Sequence, residues 1–409
     1  MCWPAARLCA AGAGLVCVAV AEASGPTLSG VAAPAETAID DASNPAGLTR
    51  LQRPEWDGQL IAIVTEDTDD LSTSGGAGRS VSNNSTLAIP AVYYGRPWND
   101  QLALGISLTV PAGVGSDPGD ATIGRYLLEK WSLGYVSLAP AVGYRVDDRL
   151  SFGLAVNLNY AVYNYESAVF NGPGQPDGTM KLNGGSFDVG VRLGALYQFT
   201  PATRLGLVYQ SSTSASFTDT PEFTGLSPQR QKVLEAAGVL TQPVSLESRF
   251  PQIIIAGGYH EFTNHAAATL DVGWVNFSQF GLTQATVGNT SLATTNGRFQ
   301  DMWMESAGLR WPVNARWDAQ LGAAYLSSGV SDANRTFALR LDRIWGVGAG
   351  ATYRWTRDRT LSVDLSYFNL GPAPVSVGVP GVGSLNASYS TNYAIALKVA
   401  YRWQSPDAR

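Results

Sequence analysis

Chemistry at a protein site usually needs a base beside a nucleophile, or a cluster of metal ligands, and this chain offers little of either. Its only histidines are His260 and His265, which flank the short polar stretch Glu261–Asn264. A catalytic histidine would be expected in a long loop, and none of the long loops carries one. The cysteines, Cys2, Cys9 and Cys17, all lie near the N-terminus. There a charged start at Arg7, an apolar run from Leu8 to Ala21 and the small-x-small end Ala21-Glu22-Ala23 predict a secretory signal over residues 1–23. Neither Cys9 nor Cys17 follows the Leu-small-small pattern of a lipid-anchored protein. With the signal removed, no thiol is left for a disulfide, a metal or a nucleophile. The expectation is therefore no catalytic residue, no metal site, no cofactor and no enzymatic activity.

The remaining chemically able residues are charges at regular places. Asp188, Arg192, Asp271, Asp364, Lys398 and Arg402 each fall on the polar phase of a segment that alternates polar or small residues with apolar ones. From Asn392 to Trp403, Tyr393, Ile395, Leu397, Val399, Tyr401 and Trp403 alternate with Asn392, Ala394, Ala396, Lys398, Ala400 and Arg402. Phe187–Phe199 and Trp345–Trp355 alternate in the same way. Side chains of a strand point to opposite faces in turn, so each segment predicts a strand with one apolar face and one polar or small face.

Such strands must be positioned by something larger. Charged residues make up only 15% of the chain and aromatic residues 10%, with 44 glycines, whereas a soluble domain carries about 25% charge. No stretch after residue 23 reaches the roughly 20 apolar residues of a membrane helix. The net charge of −6 and the lack of a basic run argue against nucleic acid. About fourteen strands are expected, beginning near Gly58, Thr86, Gln101, Lys130, Leu150, Asn183, Arg204, Glu247, Ala266, Arg298, Arg316, Leu339, Thr360 and Leu385. Short turns alternate with longer Gly/Ser/Thr-rich loops, and the loop at 219–245 carries a helix-like run after Ser227-Pro228. Tyr93, Trp98, Tyr144, Tyr197, Tyr259, Trp311, Trp317, Trp355 and Trp403 sit at strand ends, where an interfacial girdle would place them. The fold class is all-β: a transmembrane antiparallel β-barrel of about 14 strands in a bacterial outer membrane, with turns and termini on the periplasmic side. The division is 1–23 signal, 24–54 N-terminal plug and 55–409 barrel. The plug segment does not alternate as a strand, and its small residues suit packing inside a lumen; a disordered leader in the periplasm is the other reading.

The segment Asp40-Asp41-Ala42-Ser43-Asn44-Pro45-Ala46-Gly47-Leu48, together with residues 192–211, 250–280, 305–330 and 345–355, resembles the FadL-type family of outer-membrane transporters for long-chain fatty acids and aromatic hydrocarbons. The resemblance spans the whole mature chain, with one departure: residues usual between the DDAS and NPA stretches are missing. It implies passive uptake of hydrophobic small molecules, with an N-terminal hatch that includes Asn44, Pro45, Ala46 and Gly47. It also implies a lateral opening near the third strand, which would fall at Leu108–Gly115. There Pro111 cannot donate to a ladder, and Gly113 and Gly115 weaken pairing; a strand simply ending at Pro111 is the other reading. Arg192 or Lys398 could meet a cargo carboxylate, or the inward charges could neutralise one another and tether the plug. Expected partners are the hydrophobic substrate, outer-membrane lipid and the barrel-assembly machinery, with the chain acting as a monomer. A general diffusion porin and a structural or adhesive barrel are the alternatives.

Overall fold

The computed structural model describes residues 25–73, 78–116, 123–126, 128–288, 290–291, 298–335, 340–379 and 383–405. The expected signal at 1–23 lies outside the described residues. Fourteen strands form one closed antiparallel ring: β1 Glu55–Thr73, β2 Arg79–Pro97, β3 Leu102–Ser116, β4 Lys130–Arg145, β5 Leu150–Val169, β6 Gly178–Thr200, β7 Thr203–Gln210, β8 Ile253–Glu261, β9 Ala267–Val275, β10 Met302–Pro312, β11 Trp317–Leu326, β12 Ile344–Thr356, β13 Arg359–Asn369 and β14 Gly383–Gln404. The ring closes where β1 pairs with β14, from Glu55–Gln404 to Thr73–Leu385.

Alternation explains the wall. On β6, Phe187, Val189, Leu193 and Tyr197 are 63%, 53%, 46% and 39% exposed, while Asp188 and Arg192 on the other phase are buried. Similar outward faces on the other strands make a continuous apolar belt. Leaving that belt in water would cost roughly 25 cal/mol per Å², so it belongs in lipid. Trp56, Tyr144, Trp311, Trp317 and Trp355 are exposed toward one rim, and Trp303, Trp345 and Tyr367 toward the other. Tyr93 and Tyr259 correct the girdle expectation. Both are buried because they fall on the inward phase; the Tyr93 hydroxyl accepts from Gln59 Nε2 at 2.7 Å.

The short turns lie on one rim, and Asx side chains build them. Asn99 Oδ1 accepts from the backbone of Gln101 and Leu102, Asp147 Oδ1 from Arg149 and Leu150, and Asn314 Oδ1 from Arg316 and Trp317. On the loop rim, Thr213–Asp219, Val244–Phe250, Gly281–Val287 and Thr290–Ser291 make a separate four-stranded sheet. The strand expected from Glu247 is therefore corrected to two: Val244–Phe250 joins this outer sheet, and the wall resumes only at Ile253. Pro251, which has no N–H for a ladder, separates them. The expected helix is Pro228–Ala236, capped by Ser227 Oγ accepting from Arg230 N at 3.2 Å.

Candidate functional site

The segment ahead of β1 lies inside the ring. From Pro26 to Thr49 every residue but Glu36 is buried. Two short 3-10 helices, Ala38–Asp41 and Pro45–Arg50, give it shape. Thr37 and Asp40 cap the first reciprocally. Asn44 caps the second, with Pro45 in its first turn. Asn44 also ties the segment to itself and to the wall: its Nδ2 donates to the carbonyl of Ala32 at 2.6 Å and to that of Ala195 on β6 at 3.1 Å. Ala46 is fully buried, and a Cβ at Gly47 would come within 2.9 Å of Asp40.

Wall glycines make room for this segment. Gly143 pairs with Gly153, which pairs with Gly194; Gly206 pairs with Gly257, and Gly308 with Gly322. A Cβ at Gly153 would fall 2.2 Å from Ala46 N, at Gly194 2.0 Å from Asn44 Oδ1, and at Gly206 1.9 Å from the Ala32 carbonyl. These wall glycines thus form a band on which the plug rests directly. Sequence reading missed the band, although the glycines share the inward phase on successive strands.

Most of the inward charges hold this segment. Asp271 accepts from the backbone N–H groups of Gly30, Val31 and Ala32 at 2.7, 3.2 and 3.2 Å, and from Ser306 Oγ at 3.0 Å. Asp364 accepts from Thr27 Oγ1 and Gln320 Nε2, each at 2.5 Å, with Lys398 Nζ at 3.7 Å. Arg402 reaches Asp57 at 3.3 Å and Glu55 at 3.6 Å, and Glu55 accepts from Ala38 N at 2.7 Å. Asp188 accepts from Asn159 Nδ2 at 2.7 Å. A cluster unnoticed in the sequence grips Glu36 between Arg310 at 2.6 Å and Arg204 at 3.2 Å. Burial would raise that carboxyl, but Arg310 and then Arg204 outweigh it and hold it at about 2.

Above and below these tethers the lumen differs in kind. Toward the loop rim is an apolar cavity of about 140 Å³, walled by Val31, Phe250, Phe277, Met302, Met304, Ile344, Phe368 and Pro111, with Arg192 and Gln210 as polar groups. Arg192 donates to Gln210 Oε1 at 3.0 Å. Toward the turn rim is a polar cavity of about 440 Å³, lined by Glu36, Asp57, Arg310, Asp318, Arg354, Asp364, Lys398 and Arg402. Of the six inward charges, Arg192 alone lines the apolar cavity; Asp364, Lys398 and Arg402 line the polar one.

The β2–β3 seam is short beside the apolar cavity. β2 and β3 pair only from Pro97–Ala103 to Val92–Leu108, while β2 stays paired to β1 up to Arg79. Trp98 N donates to Leu102 O at 2.8 Å; counting in twos from that rung, the next hydrogen-bonded pair after Val92–Leu108 is Pro90–Val110, and Pro90 has no N–H. One step on, Pro111 faces β4, and the β3–β4 register slips between Thr109 and Ala112, a bulge. The strand does not end at Pro111: it continues to Ser116, opposite Trp131. Gly113 and Gly115 lie on this continued, shifted stretch, opposite Gly134 and Ser132. Pro90 was missed in the sequence, where a proline inside a strand pattern was the available signal.

A closed fourteen-strand barrel stoppered by its own N-terminal segment is the architecture of an outer-membrane transport protein. Residues 4–403 match the family model described as outer membrane protein transport protein (OMPP1/FadL/TodX), and the chain belongs to that family. It is 26% identical over 378 residues to a long-chain fatty acid transport protein of Escherichia coli O6:H1, covering 84% of each chain. It is 24% identical over 410 residues to outer membrane protein P1 of Haemophilus influenzae, covering 88% of this chain and 87% of that one. Among solved structures, a Pseudomonas aeruginosa FadL homologue superposes with a TM-score of 0.80 at 14% identity, over 98% of this chain and 100% of that chain. The Pseudomonas putida toluene transporter TodX gives 0.66 at 17% identity, over 97% and 99%. The chain is an outer-membrane β-barrel of this transport family.

Proposed function

We propose that this protein carries hydrophobic small molecules, long-chain fatty acids or aromatic hydrocarbons, passively across the outer membrane. Cargo enters from the loop rim into the apolar cavity and leaves sideways between β2 and β3. The observation that carries this reading is that Pro111, beside the end of the β2–β3 ladder, is also part of the cavity wall. The route downward is closed to such cargo by the plug and by a charged cavity beyond it. Each CH₂ moved from an apolar site into water costs roughly 0.8 kcal/mol, so a sideways path into lipid is the favourable one.

On this reading residues 1–23 are a removable signal, 24–54 a hatch centred on Asn44, Pro45, Ala46 and Gly47, and 55–409 the barrel. Arg192 is the polar end of the cargo site. Asp271, Asp364 and Lys398 hold the hatch, and Arg402 does so through Glu55. The protein performs no chemistry on its cargo, acts as a monomer and is inserted by the barrel-assembly machinery, with the turn rim toward the periplasm. Uptake of labelled oleate and toluene by a deletion strain complemented with this chain tests the proposal. Restored uptake of either supports it; unrestored uptake with a correctly inserted barrel refutes it.

A further inference from the structure

Where β14, β1 and β2 meet, the outer face of the wall bears a groove of about 410 Å³ lined by Trp56, Asp57, Gly58, Val92, Arg359, Tyr401 and Trp403, the buried Asp57 carboxylate turning inward to Arg402. Register explains its shape. Arg359 pairs with Trp403 and Trp403 with Trp56, while in the next outward row Tyr401 pairs with Gly58 and Gly58 with Val92. Gly58 supplies no side chain between its two larger neighbours, so the floor there is bare backbone. A Cβ at that point would meet nothing within 4 Å. The walls belong to the lipid-facing phase, with Trp56 47%, Val92 45% and Tyr401 40% exposed.

One end of the groove is charged. Arg359 is exposed, and no ion pair or hydrogen bond of its side chain is found among the described residues. The carboxylate beside it, Asp358, is taken by Arg53 at 2.8 Å. A guanidinium left without an acid at the level of the aromatic girdle calls for an anion from the membrane, and phosphate suits its paired donors. We propose that the groove seats one glycerophospholipid, an acyl chain lying over Gly58 between Tyr401 and Val92 and the phosphate on Arg359. Lipid is the solvent of this outer wall, so acyl chains lie against its apolar slot, and the unpaired cation selects a phosphate headgroup.

The full-length barrel would be equilibrated with phosphatidylglycerol, stripped in detergent and weighed intact by native mass spectrometry. Wild type is expected to keep one phospholipid, and Arg359→Gln to lose it about tenfold more readily, as for one charge-assisted hydrogen-bond pair. Gly58→Leu, which fills the floor, should do the same, while Arg316→Gln on another turn should not. Arg359 is exposed, so its variant tests the idea even if Gly58→Leu inserts poorly. Equal retention by wild type and Arg359→Gln would overturn the proposal. So would retention of added oleate in place of phospholipid, which would make the groove part of the cargo path instead.

Discussion

Val92 on β2 and Leu108 on β3 are the last pair of their ladder, and Pro90, whose N–H the next hydrogen-bonded rung would need, has none. On the proposed reading, the lateral opening involves two prolines on different seams. Pro90 cannot donate where the β2–β3 ladder would continue, and Pro111 lies in the β3–β4 register shift.

Restoring the missing donors should close the opening. The double substitution Pro90→Val, Pro111→Val is expected to extend the β2–β3 ladder, slow amide exchange at Val110 and abolish most cargo uptake while leaving the barrel folded. Uptake at the wild-type rate, with exchange at Val110 slowed, would remove the lateral route from the proposal.

The glycine band predicts a separate phenotype. Gly153→Val would place side-chain atoms where Ala46 N and the Pro45 backbone now lie, pushing the hatch off its seat. Single-channel recording should then show steady ion conductance absent in the wild type. Gly134→Val, where an added Cβ meets nothing within 4 Å, should stay closed.

On the proposed reading, Glu36 links docking of the N-terminal segment to acidity. Its carboxyl is held at about 2 against an ordinary 4.5, so the docked state binds the proton less readily than the released state. The stabilisation is therefore complete above about pH 4.5 and is lost as pH falls toward 2. Protease cleavage of the N-terminal segment should rise across that window and stay flat from pH 5 to 8. Glu36→Gln should weaken docking by about 2 kcal/mol and abolish this acid dependence.

Arg192 separates charged from neutral cargo. Replacing it by Leu should weaken oleate binding by about tenfold, the worth of one hydrogen bond to a charged group, and leave toluene binding unchanged. Competition binding with a fluorescent fatty acid measures both; equal losses would show that Arg192 shapes the cavity without reading a carboxylate.

Much of this was legible in the sequence, because a barrel wall obeys a period of two. Asp188, Arg192, Asp271, Asp364, Lys398 and Arg402 were placed inside by phase alone, and all six face the lumen. Tyr93 and Tyr259 show where two signals conflict: their position at strand ends suggests a girdle, while their phase points them inward. Val244–Phe250 alternates as well as any wall strand, and nothing local says that it pairs with 213–219 above the barrel. Which charge met which partner was not legible either. The Glu36–Arg310 pair joins residues 274 positions apart, and only the closed ring brings them together.

The seat of the N-terminal segment is cast largely in glycine backbone, against plug amides and carbonyls at Gly153 and Gly206 and against the Asn44 side chain at Gly194. Such a fit leaves no slack on the lumen side of the wall. One added methyl at Gly153 or Gly194 should not be tolerated in descendants of this protein, whereas the outward residues of the same strands should exchange freely among apolar side chains. Freedom to vary and inability to vary would then lie on opposite faces of the same strand.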